Sequence, residues 1–305
     1  MILKFNFAAC SVTSPRKRGE GKRRRNRGEH DAMTMQSPAH VAFSPRRVGA
    51  MVLRHWYLLS SSWPRVLDLI YWPAVQMLMW GFLQQYVSQN SGFFMQAAGT
   101  FIGAVMLWDI LFRGQLGFSI SFLEEMYARN LGNLMMSPLR PAEFVAALMI
   151  QSVIRLSIGM VPVSLLAIAF FGFNLWGLGL ALAAFFLNLL LTSWAIGILV
   201  AGILLRHGLG AENMAWSFMF LFLPLTCVYY PVEVLPSWLQ VFAWMLPPTY
   251  VFEGMRALIV QHVFRADLMI QSLALNAVWF AGGVIGFLLF LKSARCEGTL
   301  LQGGD

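Results

Sequence analysis

Glu124 and Glu125, followed by Arg129, make the densest charged constellation in a long apolar stretch of this 305-residue sequence. A carboxylate pair can do general acid–base work when a nucleophile or a second base stands beside it. Neither does here, so the ordinary fate of such a run, a charged helix turned to water, is the first reading. Glu125 and Arg129 are four apart and share one helix face. Ser121 precedes Glu124 by three, the spacing of a capping box. The spacing predicts a short helix over 121–131, stopped by Gly132 and then by Ser137-Pro138. Glu143 then opens the next apolar element after Pro141.

Three more ionisable residues, Asp109, Arg113 and Arg155, fall inside apolar runs. A lone charge at mid-bilayer costs about 2.5–3.5 kcal/mol on insertion scales, so such groups pair or face a cavity. Asp109 is expected to pair with Arg113, four residues on, or with Arg155. The group reads as a structural ion pair, as Arg113 snorkelling to the interface, or as a polar element of an inner gate.

Other chemistry is missing. The five histidines (His30, His40, His55, His207, His262) are scattered, with no H-E-x-x-H, and no G-x-S-x-G elbow occurs. Cys10, Cys227 and Cys296 lie far apart, with neither zinc nor disulfide spacing. Glu233 and Glu253 lack a nucleophile and read as caps or water-facing groups. No G-x-x-x-x-G-K-[ST] occurs, and GEGKRRR at 19–25 has neither its spacing nor a flanking strand. The chain therefore reads as one without its own ATP site, cofactor or metal.

The elements that must position these residues follow from composition. Apolar residues make up 58% of the chain, charged residues 12%, and mean hydropathy is +0.64. That excludes a disordered chain, a coiled coil and an ordinary soluble enzyme, and leaves an all-α polytopic membrane protein. The net charge of +8 belongs to one end: residues 1–65 hold 13 Lys/Arg against 3 Asp/Glu, and the remainder 9 against 11. The body of the chain gives no reason to expect nucleic-acid binding. Residues 1–44, with the run SPRKRGEGKRRRNRG, read as a disordered basic arm. The arm is either a cytosolic segment touching anionic lipid or the product of an over-extended gene start, with Met33 or Met35 the first true residue.

Within 45–62, Val48, Met51, Val52, His55, Trp56 and Leu59 recur at helical spacing, with Arg46, Arg47 and Arg54 elsewhere. Pro45 starts this helix with Ser44 as its cap, and its apolar face is expected in the membrane interface. Six spans are expected at about 65–86, 95–116, 143–171, 176–205, 212–231 and 269–291. Lys and Arg concentrate in alternate connections, which puts both termini in the cytoplasm. The last outward connection, 232–268, is too apolar for a solvated loop and too broken by proline to cross. It reads as two short re-entrant helices, 237–246 and 249–262, or as a hairpin lying flat. Gly282 and Gly286 form G-x-x-x-G in the last span, where another helix can approach closely. The tail, 293–305, is expected to be cytoplasmic.

In this layout, two Glu and a base followed by L-x-x-SPL-x-P-x-E-F resemble the cytoplasmic loop of ATP-binding-cassette type-2 (ABC-2 type) export permeases. A PPTY…E-x-x-R segment before the last span (Pro247, Pro248, Thr249, Tyr250, Glu253, Arg256) extends the resemblance over about 45–292. It implies a permease subunit in the bacterial inner membrane, paired with a second permease chain, identical or different. It also implies a cytosolic ATPase subunit carrying the ATP and Mg. Transferred by residue, Glu124, Glu125 and Arg129 would couple to that ATPase, helix 45–62 would touch it, and the 237–262 pair would form an outer gate. The implied substrate is amphiphilic: a lipid-linked glycan, a lipo-oligosaccharide or a hydrophobic drug. Rival readings are an ATPase-independent secondary transporter, which predicts inverted repeats, and a polytopic membrane glycosyltransferase, which predicts clustered catalytic carboxylates.

Overall fold

An apolar chain in hydrocarbon finds no water for its backbone, so it must close its hydrogen bonds within helices. The computed structural model describes residues 43–90 and 100–297, and among these are ten α-helices and no strand. In chain order they are α1 (Pro45–Ser60), α2 (Trp63–Asn90), α3 (Thr100–Tyr127), α4 (Leu131–Met136), α5 (Pro141–Phe171), α6 (Leu180–His207), α7 (Met214–Leu225), α8 (Ser237–Trp244), α9 (Pro247–Gln261) and α10 (Ala266–Glu297). Five of them, α2, α3, α5, α6 and α10, are long and apolar enough to cross a membrane. The expected basic arm lies outside the described residues, apart from its last two positions.

The middle of the bundle is α3, whose residues Ile102 to Leu111 are all buried. It packs on α5 and α6 where small residues allow. A Cβ on Gly117 would stand 3.2 Å from Ser152 Cα, and one on Gly114 2.5 Å from Ser193 Oγ. On the far side of α6 lies α10, held by an intramembrane polar knot. Thr192 donates to Asn276 Oδ1 at 2.6 Å, and Asn276 Nδ2 donates to the Asn188 carbonyl at 3.0 Å. The close approach of these two helices uses Gly283 rather than Gly282. A Cβ on Gly283 would meet the Ala195 carbonyl oxygen at 2.6 Å, whereas one on Gly282 would meet nothing within 4 Å. Gly286 does face α6, at Leu199. The expected G-x-x-x-G is thus half right, and the seam is one residue off.

Three further expectations are corrected. There is no separate helix over 121–131: the second span runs on as α3 to Tyr127, and Ser121, inside it, donates back to the Gly117 carbonyl at 2.8 Å instead of capping. The chain breaks at Arg129, whose φ is 50°, and restarts as α4, with Gly132 inside that helix; the stop at Ser137 stands. The expected fifth span, 212–231, is helical only over the 12 residues of α7, a rise of about 18 Å against ~30 Å of hydrocarbon. Pro224 and the positive φ of Cys227 (53°) end it. The expected face of α1 is real, and most of it is covered by protein: Val48, Met51, His55 and Leu59 are buried, chiefly by α5, while Trp56 stays 42% exposed. Ser44 makes no side-chain cap there. The two short helices of the last connection exist as α8 and α9.

Candidate functional site

The last turn of α3 presents Glu124 and Glu125 to three other helices, α1, α2 and α5. Glu125 is fully buried and accepts from Arg54 of α1 at 2.7 Å and from Asn130 at 2.9 Å. Glu124 receives Arg155 of α5, whose Nη2 lies 2.8 Å from both carboxylate oxygens. Arg65 of α2 stands 3.7 Å from Glu124. Between the two acids sits the fully buried imidazole of His55, with Nδ1 3.7 Å from Glu124 and Nε2 3.5 Å from Glu125. Three arginines and a histidine thus converge on two carboxylates, and low local dielectric makes the loss of either acid costly.

A second clamp lies further along α1. Glu143, in the first turn of α5, accepts from Arg47 Nε at 2.9 Å and Nη2 at 2.6 Å, and from the backbone N–H groups of Ser44 and Arg140. The Glu143 carboxylate holds the Arg47 guanidinium above its ordinary pKa. Acids near a helix N-terminus also complement its dipole. Together the clusters fasten α1 to α3 and α5 by charge, over an apolar face already mostly buried.

The expected pairing of Glu125 with Arg129 does not form. The helix ends at Tyr127, and Arg129 is exposed beyond it. Both acids are engaged by ion pairs within the chain, Glu125 fully buried and Glu124 17% exposed. Arg155 joins Glu124 rather than Asp109. Asp109 pairs with Arg113, at 3.7 Å, too long for a hydrogen bond, and among the described residues neither of its buried oxygens has a hydrogen-bond partner. The sequence reading missed His55, Arg65 and the Arg47–Glu143 clamp as functional residues. One signal was present: a single ionisable residue, His55, interrupting an apolar helical face.

At the other candidate site, the structure gathers the PPTY…E-x-x-R residues. Pro247 and Pro248 form the first turn of α9, where a missing N–H costs nothing. Thr249 donates to the Ala243 carbonyl at 2.7 Å and Tyr250 to that of Trp244 at 3.0 Å, closing the end of α8. Glu253 and Arg256 form an ion pair at 2.5 Å. Glu253 also accepts from the Val232 N–H, and Arg256 donates to the carbonyls of Cys227 and Tyr230. This pair takes up backbone groups that the break after α7 leaves without helical partners. Among the described residues no group of three or more His, Cys, Asp or Glu could hold a metal.

No curated protein matches the chain. The family model described as "ABC-2 type transporter" matches residues 49–260, from within α1 to the penultimate residue of α9. That stretch contains the Glu124–Glu125 charge cluster and the Glu253–Arg256 brace, and covers more than two thirds of the sequence: this chain belongs to the ABC-2 type transporter family and is a multi-pass membrane permease subunit.

Proposed function

We propose that this permease is the membrane half of an ATP-driven exporter in the bacterial inner membrane, and that its fuel site lies on a separate cytosolic nucleotide-binding subunit holding ATP and Mg. A second permease chain, identical or different, completes the pathway. The substrate class is amphiphilic: a lipid-linked glycan, a lipo-oligosaccharide or a hydrophobic drug. In this reading the charged end of the bundle faces the cytosol, as do both termini. A sixth crossing is assembled from α7 and the broken segment after it, with α8 and α9 returning within the outer leaflet as an outer gate.

The family match over α1 to α9 carries the reading. The geometry supports a division of labour. Glu124 and Glu125 serve as an internal brace, so that a push on α1 or α4 displaces α3 and α5 together. Direct contact with the ATPase falls to exposed neighbours, Arg129 and Met136, the latter 81% exposed.

The test is cross-linking in native membranes, in a chain whose own cysteines are replaced and which carries Met136→Cys. The expected result is a cross-linked partner containing a phosphate-binding loop. Labelling of that cysteine by an impermeant reagent from outside intact cells, or repeated recovery of the chain without an ATPase, refutes the proposal.

A further inference from the structure

We infer that the hydrogen bond from the Tyr127 hydroxyl to Glu212 is the contact through which the charge cluster moves α7. Tyr127 and Glu212 are then positioning residues for the transport stroke. The inference rests on the ATP-driven reading above and adds to it the route by which motion reaches a broken span.

Three observations carry it. First, the end of α3 is fixed many times over. Glu124 and Glu125 hold it to α1, α2 and α5 through Arg54, Arg65 and Arg155, with His55 packed between. Tyr127 follows on the same turn but points elsewhere: it is 54% exposed and donates to Glu212 Oε2.

Second, Glu212 lies in the connection between α6 and α7, one residue before the cap of α7. Among the described residues, no other side-chain hydrogen bond or ion pair joins 208–217 to another helix. Ser217 donates to Asn213 in the same segment, and the His207 ring faces Ile203 of its own helix. Apart from the Tyr230 hydroxyl, which donates to the Pro224 carbonyl at the far end of α7, the remaining hold on α7 is apolar, through buried Ala215 and Met219 and the rings of Phe112 and Trp216. Apolar contacts of this kind are non-directional; a charge-assisted hydrogen bond fixes direction and register.

Third, α7 is bounded by joints. Gly208, at φ 70°, closes α6, and Pro224 with Cys227, at φ 53°, ends α7. Hinges are element-terminal positions that absorb backbone rotation. A short rod between two such positions, tied at one end to an over-determined anchor, follows that anchor. Without the tie, the anchor moves and the rod does not.

The experiment uses the full chain reconstituted with its ATPase, native cysteines replaced, and spin labels at Phe220→Cys on α7 and Leu289→Cys on α10. Both positions are more than half exposed. In the parent, ATP is expected to shift the label-to-label distance. In Tyr127→Phe and in Glu212→Ala, complex recovery and ATP hydrolysis persist while most of the shift is lost. Tyr127→Lys, whose ammonium can pair with Glu212 again, restores the shift, which a role in folding alone would not produce. A full shift in both single variants overturns the inference. So does a parent chain that recruits no ATPase, an outcome seen before any variant is made, and one that removes the transport reading as well.

Discussion

Replacing Glu124 by Gln should destabilise this protein far more than replacing its partner Arg155 by Met, although each removes the same ion pair. The asymmetry follows from what is left behind. Arg155 is only 6% exposed, and Glu124 supplies both of its carboxylate contacts. With Glu124 neutral, Arg155 is a buried cation, Arg65 loses its acidic neighbour, and Arg54 and His55 are left beside Glu125. Stripping one partner from a buried pair costs about 3–5 kcal/mol. With Arg155 replaced by Met, a side chain of similar reach fills the space, and Glu124 keeps Arg65 and His55 nearby and some access to solvent. Swapping a buried charge for a well-packed apolar group is often near neutral, so about 1 kcal/mol or less is expected. The assay is hydrogen exchange of the last turns of α3 in detergent micelles. A loss of about 3 kcal/mol raises local opening more than about 100-fold. The double variant decides the matter: Glu124→Gln/Arg155→Met should be more stable than Glu124→Gln alone. Equal costs for the two single variants, or a double variant at least as unstable as Glu124→Gln, would refute the reasoning.

Further outcomes follow from the same structure. Gly283→Ala should lower the melting temperature, since its Cβ would strike the Ala195 carbonyl oxygen, an overpacking cost of about 1–3 kcal/mol; Gly282→Ala, in open space, should be neutral or slightly stabilising. Arg256→Leu frees the carbonyls of Cys227 and Tyr230, so maleimide labelling of the buried Cys227, with Cys10 and Cys296 replaced, should rise about tenfold or more. Asn276→Leu removes the hydrogen bonds between α6 and α10 and should cost about 0.6–1.7 kcal/mol, read as a lower melting temperature with unchanged insertion.

The helices were legible because hydropathy and periodicity are local. A run of apolar residues long enough to cross must be helical in lipid whatever surrounds it, and α2, α3, α5, α6 and α10 all lie on runs identifiable in the sequence. The short pair α8 and α9 was equally legible, since Pro236, Pro247 and Pro248 punctuate an apolar stretch. The grouping of Glu253 with Arg256 was local too, three residues apart on one helix. What they brace was not, because Cys227 and Tyr230 come from the far side of α8.

The candidate site divides in the same way. The sequence by itself determined that Glu124 and Glu125 stand together at the end of an apolar element, and that α1 has one apolar face with His55 in it. Only the tertiary structure decided that most of that face is covered by protein, and that the acids answer Arg54, Arg65 and Arg155 from three other helices, leaving Arg129 outside. The reason is physical: a 3.6-residue period says which residues share a side, but not what covers that side. A carboxylate turned to water and one buried against arginines have the same spacing. Partners 31 to 71 residues away along the chain are chosen by packing, through small residues such as Gly117 that set how closely α3 and α5 meet.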